Sequence, residues 1–319
     1  LDLENKPTIS SDGYSQVKIQ HNDRDDATEW AYFDTDGTFI NGKDGIAIVK
    51  NEYDQYGNII SRSFFDKHNK PTIGREDTCH RIQTKYDERG DLDETRCFDN
   101  EENLNPGLKH CAVSQYDFDE FGKLIRFNCY VTEGVLIDEP NLPSILTIKY
   151  DNYGNVSEVK AYNAKNELAE RYEGAAIWKR TADKFGNELE ISTYDRNERL
   201  IINPKYKAAI FRREFDNLGH SLKAQAFDEN GRPSKGIWGF AEIRYDYDGR
   251  GNKISEAYFD EKGSPTIDWQ SVHEYRTSYD KYGRVSEVTN IGELGDPSSN
   301  GEGVTFTTYE YNPWGQLIK

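Results

Sequence analysis

The alternation of apolar and polar positions predicts β-strands, and it is clearest between residues 240 and 265. Apolar and polar side chains alternate on both sides of the segment YDGRGN, as in a strand with one buried face. Asp248 occupies the first corner of a turn within it and Gly251 the fourth. Aspartate accepts main-chain N–H bonds at a first corner, and glycine supplies a positive φ that starts the return strand. The segment therefore predicts a β-hairpin, and the following FDEKGSP predicts a second turn.

The hairpin motif recurs along the whole chain. An aromatic residue, an acid, two variable positions and a glycine return with a period of about 32 residues. The first position of the motif, here called the anchor, is occupied by His21, Tyr53, Tyr86, Phe118, Tyr150, Ala182, Phe215, Tyr247, Tyr279 and Tyr311. A second column, twelve residues after the anchor, contains Phe33, Phe65, Phe98, Tyr130, Tyr162, Tyr194, Phe227, Phe259 and Ile291. Both columns share the same one-residue insertions, so the period belongs to the whole repeat.

The repetition predicts an all-β protein, an elongated solenoid or spiral of about ten stacked antiparallel β-hairpin repeats. A lone hairpin is marginal in water, whereas stacked hairpins share a sheet and bury their aromatic columns as ladders. We expect residues 1–319 to form a single repeat domain whose irregular first and last repeats act as caps. The acid of the motif is predicted to be a turn residue, because a catalyst is needed once and a turn is needed in every repeat.

Four cysteines form two pairs with the same spacing. The interval from Cys79 to Cys97 equals the interval from Cys111 to Cys129, and one period separates the pairs. This spacing favours two disulfides, each within a hairpin, Cys79–Cys97 and Cys111–Cys129. Bonds between adjacent repeats, Cys79–Cys111 and Cys97–Cys129, and four buried thiols remain alternatives. Zinc is disfavoured because its sites use closely spaced ligand pairs. Disulfides would place the protein outside the reducing cytosol.

The residue before each motif glycine lies at the tip of the predicted turn. Turns normally carry small polar residues, but this position is aromatic in six repeats. The aromatic tips are Tyr56, Phe121, Tyr153, Phe185, Tyr282 and Trp314, and the other tips are Arg89, Leu218 and Arg250. Aligned rings beside acids and amides suit a sugar or a protein partner, so we predict a ligand-binding stripe. The alternative is that each ring folds back over its own hairpin and seals the core.

Composition narrows the classes of partner. The chain has 319 residues and a formal charge of -17, which disfavours nucleic acid and anionic membranes. No apolar run approaches the roughly 20 residues of a membrane-spanning helix, so we expect no direct membrane insertion. The five tryptophans, Trp30, Trp178, Trp238, Trp269 and Trp314, share no repeat position, which predicts local packing. Composition leaves the oligomeric state open.

The sequence contains no motif for known catalytic chemistry. Nucleophile-elbow, zinc-protease, phosphate-loop and dinucleotide-binding patterns are all missing, so we expect no enzyme, no cofactor and no metal. The segment 34–45, DTDGTFINGKDG, is similar to a calcium loop at its start. It lacks the alternating third acid and the terminal glutamate, so calcium is not expected there.

The turns IRYDYDGRGNKI, residues 243–254, and TYEYNPWGQLI, residues 308–318, resemble the YD-repeat or RHS-repeat family. The resemblance covers the Y/F-D-x-x-G columns of every repeat and implies a β-strand spiral in which those columns are structural. It also implies a secreted, cell-surface or periplasmic protein. The period, with its second turn, is longer than the usual YD unit, and the hairpins are also similar to MORN-like and WG-type repeats.

Together these features predict a non-enzymatic repeat protein that presents an extended surface to a protein or glycan partner. Two alternatives are a structural part of an RHS/YD-type toxin-delivery shell and, with least support, an enzyme acting on polysaccharide.

Overall fold

The computed structural model describes residues 7–74, 79–107, 111–170 and 173–318. These ranges contain twenty strands and no α-helix, and the all-β prediction is confirmed. The chain divides into two compact units, the first comprising Leu1–Thr147 with Asn163–Asn166 and the second Ile148–Tyr162 with Glu167–Lys319. The strands are β1 Gln16–His21, β2 Ala27–Phe33, β3 Ile48–Tyr53, β4 Ile59–Phe65, β5 Arg81–Tyr86, β6 Leu92–Phe98, β7 Val113–Phe118, β8 Leu124–Thr132, β9 Val135–Leu136, β10 Ile145–Tyr150, β11 Val156–Tyr162, β12 Ile177–Ala182, β13 Glu188–Tyr194, β14 Ile210–Phe215, β15 Ser221–Phe227, β16 Glu242–Tyr247, β17 Lys253–Phe259, β18 Glu274–Tyr279, β19 Val285–Ile291 and β20 Phe306–Thr308.

Each repeat is an antiparallel hairpin that pairs with the hairpins beside it in sequence. In the first unit β1 to β9 pair consecutively, and in the second unit β11 to β20 do the same. The β16–β17 hairpin pairs Glu242 with Phe259, and its register shifts just before the anchor Tyr247. The same shift precedes the anchor in seven other hairpins, so it is part of the repeat.

The motif aspartate builds the turn, as the sequence predicts. The main-chain N–H of Asp248 donates to the carbonyl of Asn252 at 2.9 Å, and Gly251 donates back to the carbonyl of Asp248 at 3.0 Å. One carboxylate oxygen of Asp248 accepts the N–H groups of Arg250, at 2.8 Å, and Asn252, at 2.9 Å. Gly251 has φ of +84°, which explains the glycine of the motif.

The anchor tyrosines tie consecutive hairpins together. The hydroxyl of Tyr247 donates to the carbonyl of Ser221 at 3.0 Å, and the hydroxyl of Tyr279 donates to the carbonyl of Lys253 at 2.8 Å. Each acceptor is the first residue of the return strand in the preceding hairpin. Tyr53, Tyr86 and Tyr311 make the equivalent bond. The aromatic residue of the motif therefore joins one repeat to the next.

One pair of positions recurs in each repeat, seven residues before and eleven after the anchor, and in four hairpins it links the two arms. Tyr14 stacks on Tyr32 here with ring centroids 4.6 Å apart, and Phe240 stacks on Tyr258 at 4.4 Å. The same positions carry the disulfides Cys79–Cys97 and Cys111–Cys129, with Cα atoms 5.3 and 5.2 Å apart. The pairing within hairpins is thus confirmed, and both disulfides belong to the first unit.

Gly251 and Gly263 both require a positive φ, but only Gly251 also lacks space for a side chain. A Cβ on Gly251 would lie 2.9 Å from Nε2 of His220, whereas a Cβ on Gly263 would contact nothing within 4 Å. His220 is held by Asp216, 2.8 Å from its Nδ1, and by stacking on Tyr247. The contact of Gly251 therefore cannot be relieved by a free rotation of the imidazole.

We expect Gly251→Ala to lower the free energy of unfolding by roughly 2–3 kcal/mol and Gly263→Ala by roughly 1 kcal/mol. The difference reflects the contact with His220, since the two variants share the cost of an alanine at positive φ. Urea denaturation of both variants measures it. Equal losses would show that the imidazole moves aside without cost.

Candidate binding surface

The turn-tip rings project into solvent. The exposed fractions of the six aromatic tips lie between 68% and 85%. They are Tyr56 and Phe121 in the first unit, and Tyr153, Phe185, Tyr282 and Trp314 in the second. Rings that folded back over their hairpins would be largely covered, so the sealing alternative does not describe these side chains. Whether the rings bind a partner stays a prediction.

The turn fixes the backbone beneath each ring. The N–H of Tyr153 donates to the Asp151 carboxylate at 2.9 Å, and the N–H of Phe185 donates to Asp183 at 2.8 Å. The same bond is made at Tyr56, Phe121 and Tyr282, and at Trp314 through an asparagine. Each ring is therefore presented from an ordered turn.

Consecutive tips lie side by side within each unit. Arg89 reaches the carbonyl of Asp119 in the next turn at 2.6 Å, and Arg250 reaches the carbonyl of Lys281 at 3.3 Å. Arg24, the tip of the first repeat, donates to the carbonyls of Asp54 and Gln55. Sequence reasoning missed Arg24, although counting three residues on from His21 identifies it. Arginine tips therefore bond to the backbone of the next turn, whereas the aromatic tips are exposed to solvent.

The apolar tips are most continuous in the second unit. Tyr153, Phe185 and Leu218 occupy three successive repeats there, and Leu218 is as exposed as the rings. Gly186 of the second of these turns lies against the Asn155 side chain of the first, with a Cβ position 3.5 Å away. We name Tyr153, Phe185 and Leu218 the tip row.

The carboxylates beside the tip row remain ionised. Bonds from the Asn155 side chain and main chain hold the pKa of Asp151 below its usual range, although partial desolvation opposes them. Asn187 has the same effect on the pKa of Asp183. The row therefore alternates exposed apolar groups with fixed negative charges, which suits a neutral or basic partner better than an acidic one.

Grooves open between neighbouring hairpins behind the tips. In the first unit a groove of about 1120 Å³ lies between the β3–β4 and β5–β6 hairpins, with Tyr56, Arg89 and Thr84 among its lining residues. In the second unit a groove of about 450 Å³ lies at the equivalent place and is lined by Arg250 and Thr277. The groove is thus a repeating feature beside the tips.

The described residues contain no group of three histidine, cysteine or acidic side chains placed to hold a metal ion. In the segment similar to a calcium loop, Asp36 accepts the N–H of Thr38 and Asp44 accepts the N–H of Ile46, so both act as turn residues. No helix in the described ranges is long and apolar enough to cross a membrane.

The fold and this surface define a class, the β-hairpin repeat proteins with exposed turn tips. No family model and no curated protein matches the chain. A crystal structure of TcdB2-TccC3-TEV is similar over 95% of this chain and 16% of its own, at 11% identity and a TM-score of 0.36. The Photorhabdus luminescens Tc holotoxin pore is similar over the same shares, at 12% identity and a TM-score of 0.37. A porin-like protein from Bacteroides uniformis has 11% identity and a TM-score of 0.15 over 85% of this chain and 86% of its own.

This chain therefore spans about a sixth of the length of the Tc toxin chains. Identities and TM-scores as low as these transfer neither family membership nor function. The resemblance to YD or RHS repeats stays a prediction from the motif.

Proposed function

We propose that this chain is a non-enzymatic binding scaffold that presents its turn tips to a glycan or protein partner. The observation that carries the proposal is the exposure of all six aromatic tips from ordered turns. Large apolar groups aligned on a surface are a common mark of an interaction site. Rigid presentation reduces the entropy lost when a partner binds.

The surroundings of the tips favour a neutral glycan or a basic protein surface. Rings offer faces for stacking, the adjoining grooves offer hydroxyl and amide groups, and the turn carboxylates are ionised. The net charge of -17 opposes an acidic ligand. Two disulfides support a working place outside the reducing cytosol, at the cell surface, in the periplasm or in the secreted fraction.

Screening on a glycan array and by pull-down identifies the partner, and Tyr153→Ala and Tyr282→Ala then test the tips. We expect each variant to bind about tenfold more weakly, since removing a well-placed ring from an interface costs roughly 1.4 kcal/mol. Circular dichroism should stay unchanged because both side chains are exposed.

Trp269→Ala is the matched control, because Trp269 is 87% exposed in the same unit but lies outside the tips. Its affinity should equal that of the parent. If both tip variants bind every identified partner like the parent, the tips are not the binding surface. The structural role in a toxin-delivery shell would then be favoured.

A further inference from the structure

A second, smaller cavity lies in the second unit, away from the turn tips. It has a volume of about 140 Å³ and lies between the β12–β13 and β14–β15 hairpins. Rings, small side chains and one cluster of charges line it. The lining includes the rings of Tyr206, Phe211 and Trp238, the small side chains of Thr193, Ala208 and Ala209, and the charged groups of Arg180, Glu188 and Arg213.

The cavity exists because the paired position of the repeat is occupied by small residues here. The positions filled by stacked rings or disulfides elsewhere carry Ala175 with Thr193 in one repeat, and Ala208 with Ala226 in the next. All four are buried. Phe211 packs with Ala208 and Ala226, and Thr193 and Ala208 remain in the wall of the cavity.

Three aromatic side chains form the walls. Phe211 and Trp238 meet edge to face with centroids 4.8 Å apart, and Tyr206 lies 6.4 Å from Phe211. Tyr206 and Trp238 both lie nine residues before an anchor, a shared position that the sequence prediction of local packing overlooked. Phe211 is buried but Trp238 is 44% exposed, so the cavity opens to solvent at this side chain.

The charges of the lining carry a positive excess. Glu188 is shared between two guanidiniums, since Arg180 bonds one carboxylate oxygen and Arg213 approaches the other at 3.3 Å. Arg180 and Arg213 make no other side-chain ion pair within the described residues. Two cations against one anion give a local charge of +1 on a chain of charge -17.

We propose that this cavity is a binding site for a small aromatic carboxylic acid. The ring would enter between Tyr206, Phe211 and Trp238, and the carboxylate would accept N–H groups from Arg180 and Arg213. A cavity of about 150 Å³ is known to hold benzene, so a volume of about 140 Å³ fits a single six-membered ring. Arginine is the side chain best shaped to bind a carboxylate.

The polar groups of the lining disfavour a sugar acid. The Thr193 hydroxyl already donates to the carbonyl of Ile201 at 3.0 Å. The Asn203 amide donates to the carbonyl of Glu173 at 2.9 Å, and its oxygen accepts the N–H of Lys205. Sugar hydroxyls beside Thr193 and Asn203 would therefore lose water and gain few partners, which is costly. An aromatic ring has no such requirement.

Benzoate is the test ligand, with benzyl alcohol as its uncharged match and glucuronate as the sugar acid. We expect saturation transfer to the benzoate ring and a Kd on the order of 1 mM or tighter by calorimetric titration. Benzyl alcohol should bind about tenfold more weakly, and glucuronate should show no saturation transfer.

Arg213→Gln should weaken benzoate about tenfold without changing benzyl alcohol, whereas Trp238→Ala should weaken both. Arg212→Gln and Trp269→Ala are matched controls, since Arg212 pairs with Glu190 outside the lining and Trp269 lies apart from it. Circular dichroism checks that all variants are folded.

Absence of benzoate binding at a benzoate concentration 20-fold above the expected Kd would overturn the proposal. Glucuronate binding as tight as that of benzoate would also overturn it, and so would an equal loss of benzoate affinity in Arg213→Gln and Arg212→Gln. The site contains no turn tip, so none of these results affects the proposed function.

Discussion

Reduction of the two disulfides is expected to lower the free energy of unfolding of the first unit by about 3 kcal/mol for each bond. Each bond joins residues 18 positions apart, and closing a loop of that length in the unfolded chain gives this magnitude in the chain-entropy treatment. Reduction removes no side-chain heavy atom, so the effect measures the crosslink with little contribution from a cavity. Urea denaturation with and without dithiothreitol gives the difference.

A variant with all four cysteines replaced by alanine is the control, because the reductant should not change its urea midpoint. Hydrogen exchange then locates the effect, since peptides of the first unit should lose protection on reduction. An unchanged midpoint of the parent would contradict the prediction. Four free thiols in non-reducing mass spectrometry would also remove the argument for a location outside the reducing cytosol.

The hairpins were predictable because the turn chemistry is local. An aspartate and a glycine three residues apart determine the turn by their own main-chain bonds, as Asp248 and Gly251 do. Repetition supplied the register, because every hairpin carries the same motif. The interaction between hairpins was harder to predict from the sequence, since the bond from the Tyr247 hydroxyl to the carbonyl of Ser221 joins residues 26 positions apart.

The cysteine pairing was predictable for a related reason. The interval within each cysteine pair recurs one period later, and the apolar residues Ile46 and Phe64 mark the same positions in a neighbouring repeat. Tyr14 and Tyr32 have this interval too, and so do Phe240 and Tyr258. Aligning the repeats on these positions would have found the ring pairs. It would also have found the repeats where alanine leaves a cavity.

The direction of the tip rings could not be predicted from the motif. A ring at a turn can lie on its own hairpin or project outward, and the choice depends on the space left by the next turn. Arg89 and Arg250 use that space to bond the following carbonyl, whereas Tyr153 and Phe185 remain exposed. Only the packed arrangement of consecutive turns separates these outcomes.

Acid is expected to unfold the protein, with stability falling steeply as the pH drops below about 4. Hydrogen bonds to the turn carboxylates hold their pKa values below the usual range. Main-chain N–H groups have the largest effect at Asp66, Asp99, Asp195, Asp228 and Asp260. The unfolded chain, with an aspartate pKa of about 3.9, then binds more protons than the folded chain. Their stabilisation is complete above that value and is lost as the pH falls through the folded pKa values. Between pH 7 and about 5 the loss of net charge eases repulsion, so the decline begins only below the isoelectric point near 4.9.

Glu94 is expected to contribute the largest single part of this dependence. Its burial alone would raise its pKa, but bonds from Arg96 at 2.6 Å, Gln115 at 3.0 Å and Lys85 at 3.0 Å outweigh that effect and lower it to about 2. Against an ordinary glutamate pKa of about 4.3, the shift corresponds to at most about 3 kcal/mol of stability, reduced by solvent screening, present above pH 4.3 and lost towards pH 2.

Urea denaturation of the parent and of Glu94→Gln between pH 7 and pH 2 tests both parts of the acid dependence. The variant should be less stable than the parent at pH 7, because a neutral amide forms weaker bonds to Arg96 and Lys85. The difference should shrink as Glu94 becomes protonated in the parent, so the two curves converge towards pH 2. The aspartate turns are common to both proteins and predict that the variant also loses stability below pH 4. Parallel curves over the whole range would mean that Glu94 titrates alike in the folded and unfolded chains. A urea midpoint that stays constant from pH 5 to pH 2 would mean the same of the turn aspartates and would contradict the predicted acid unfolding.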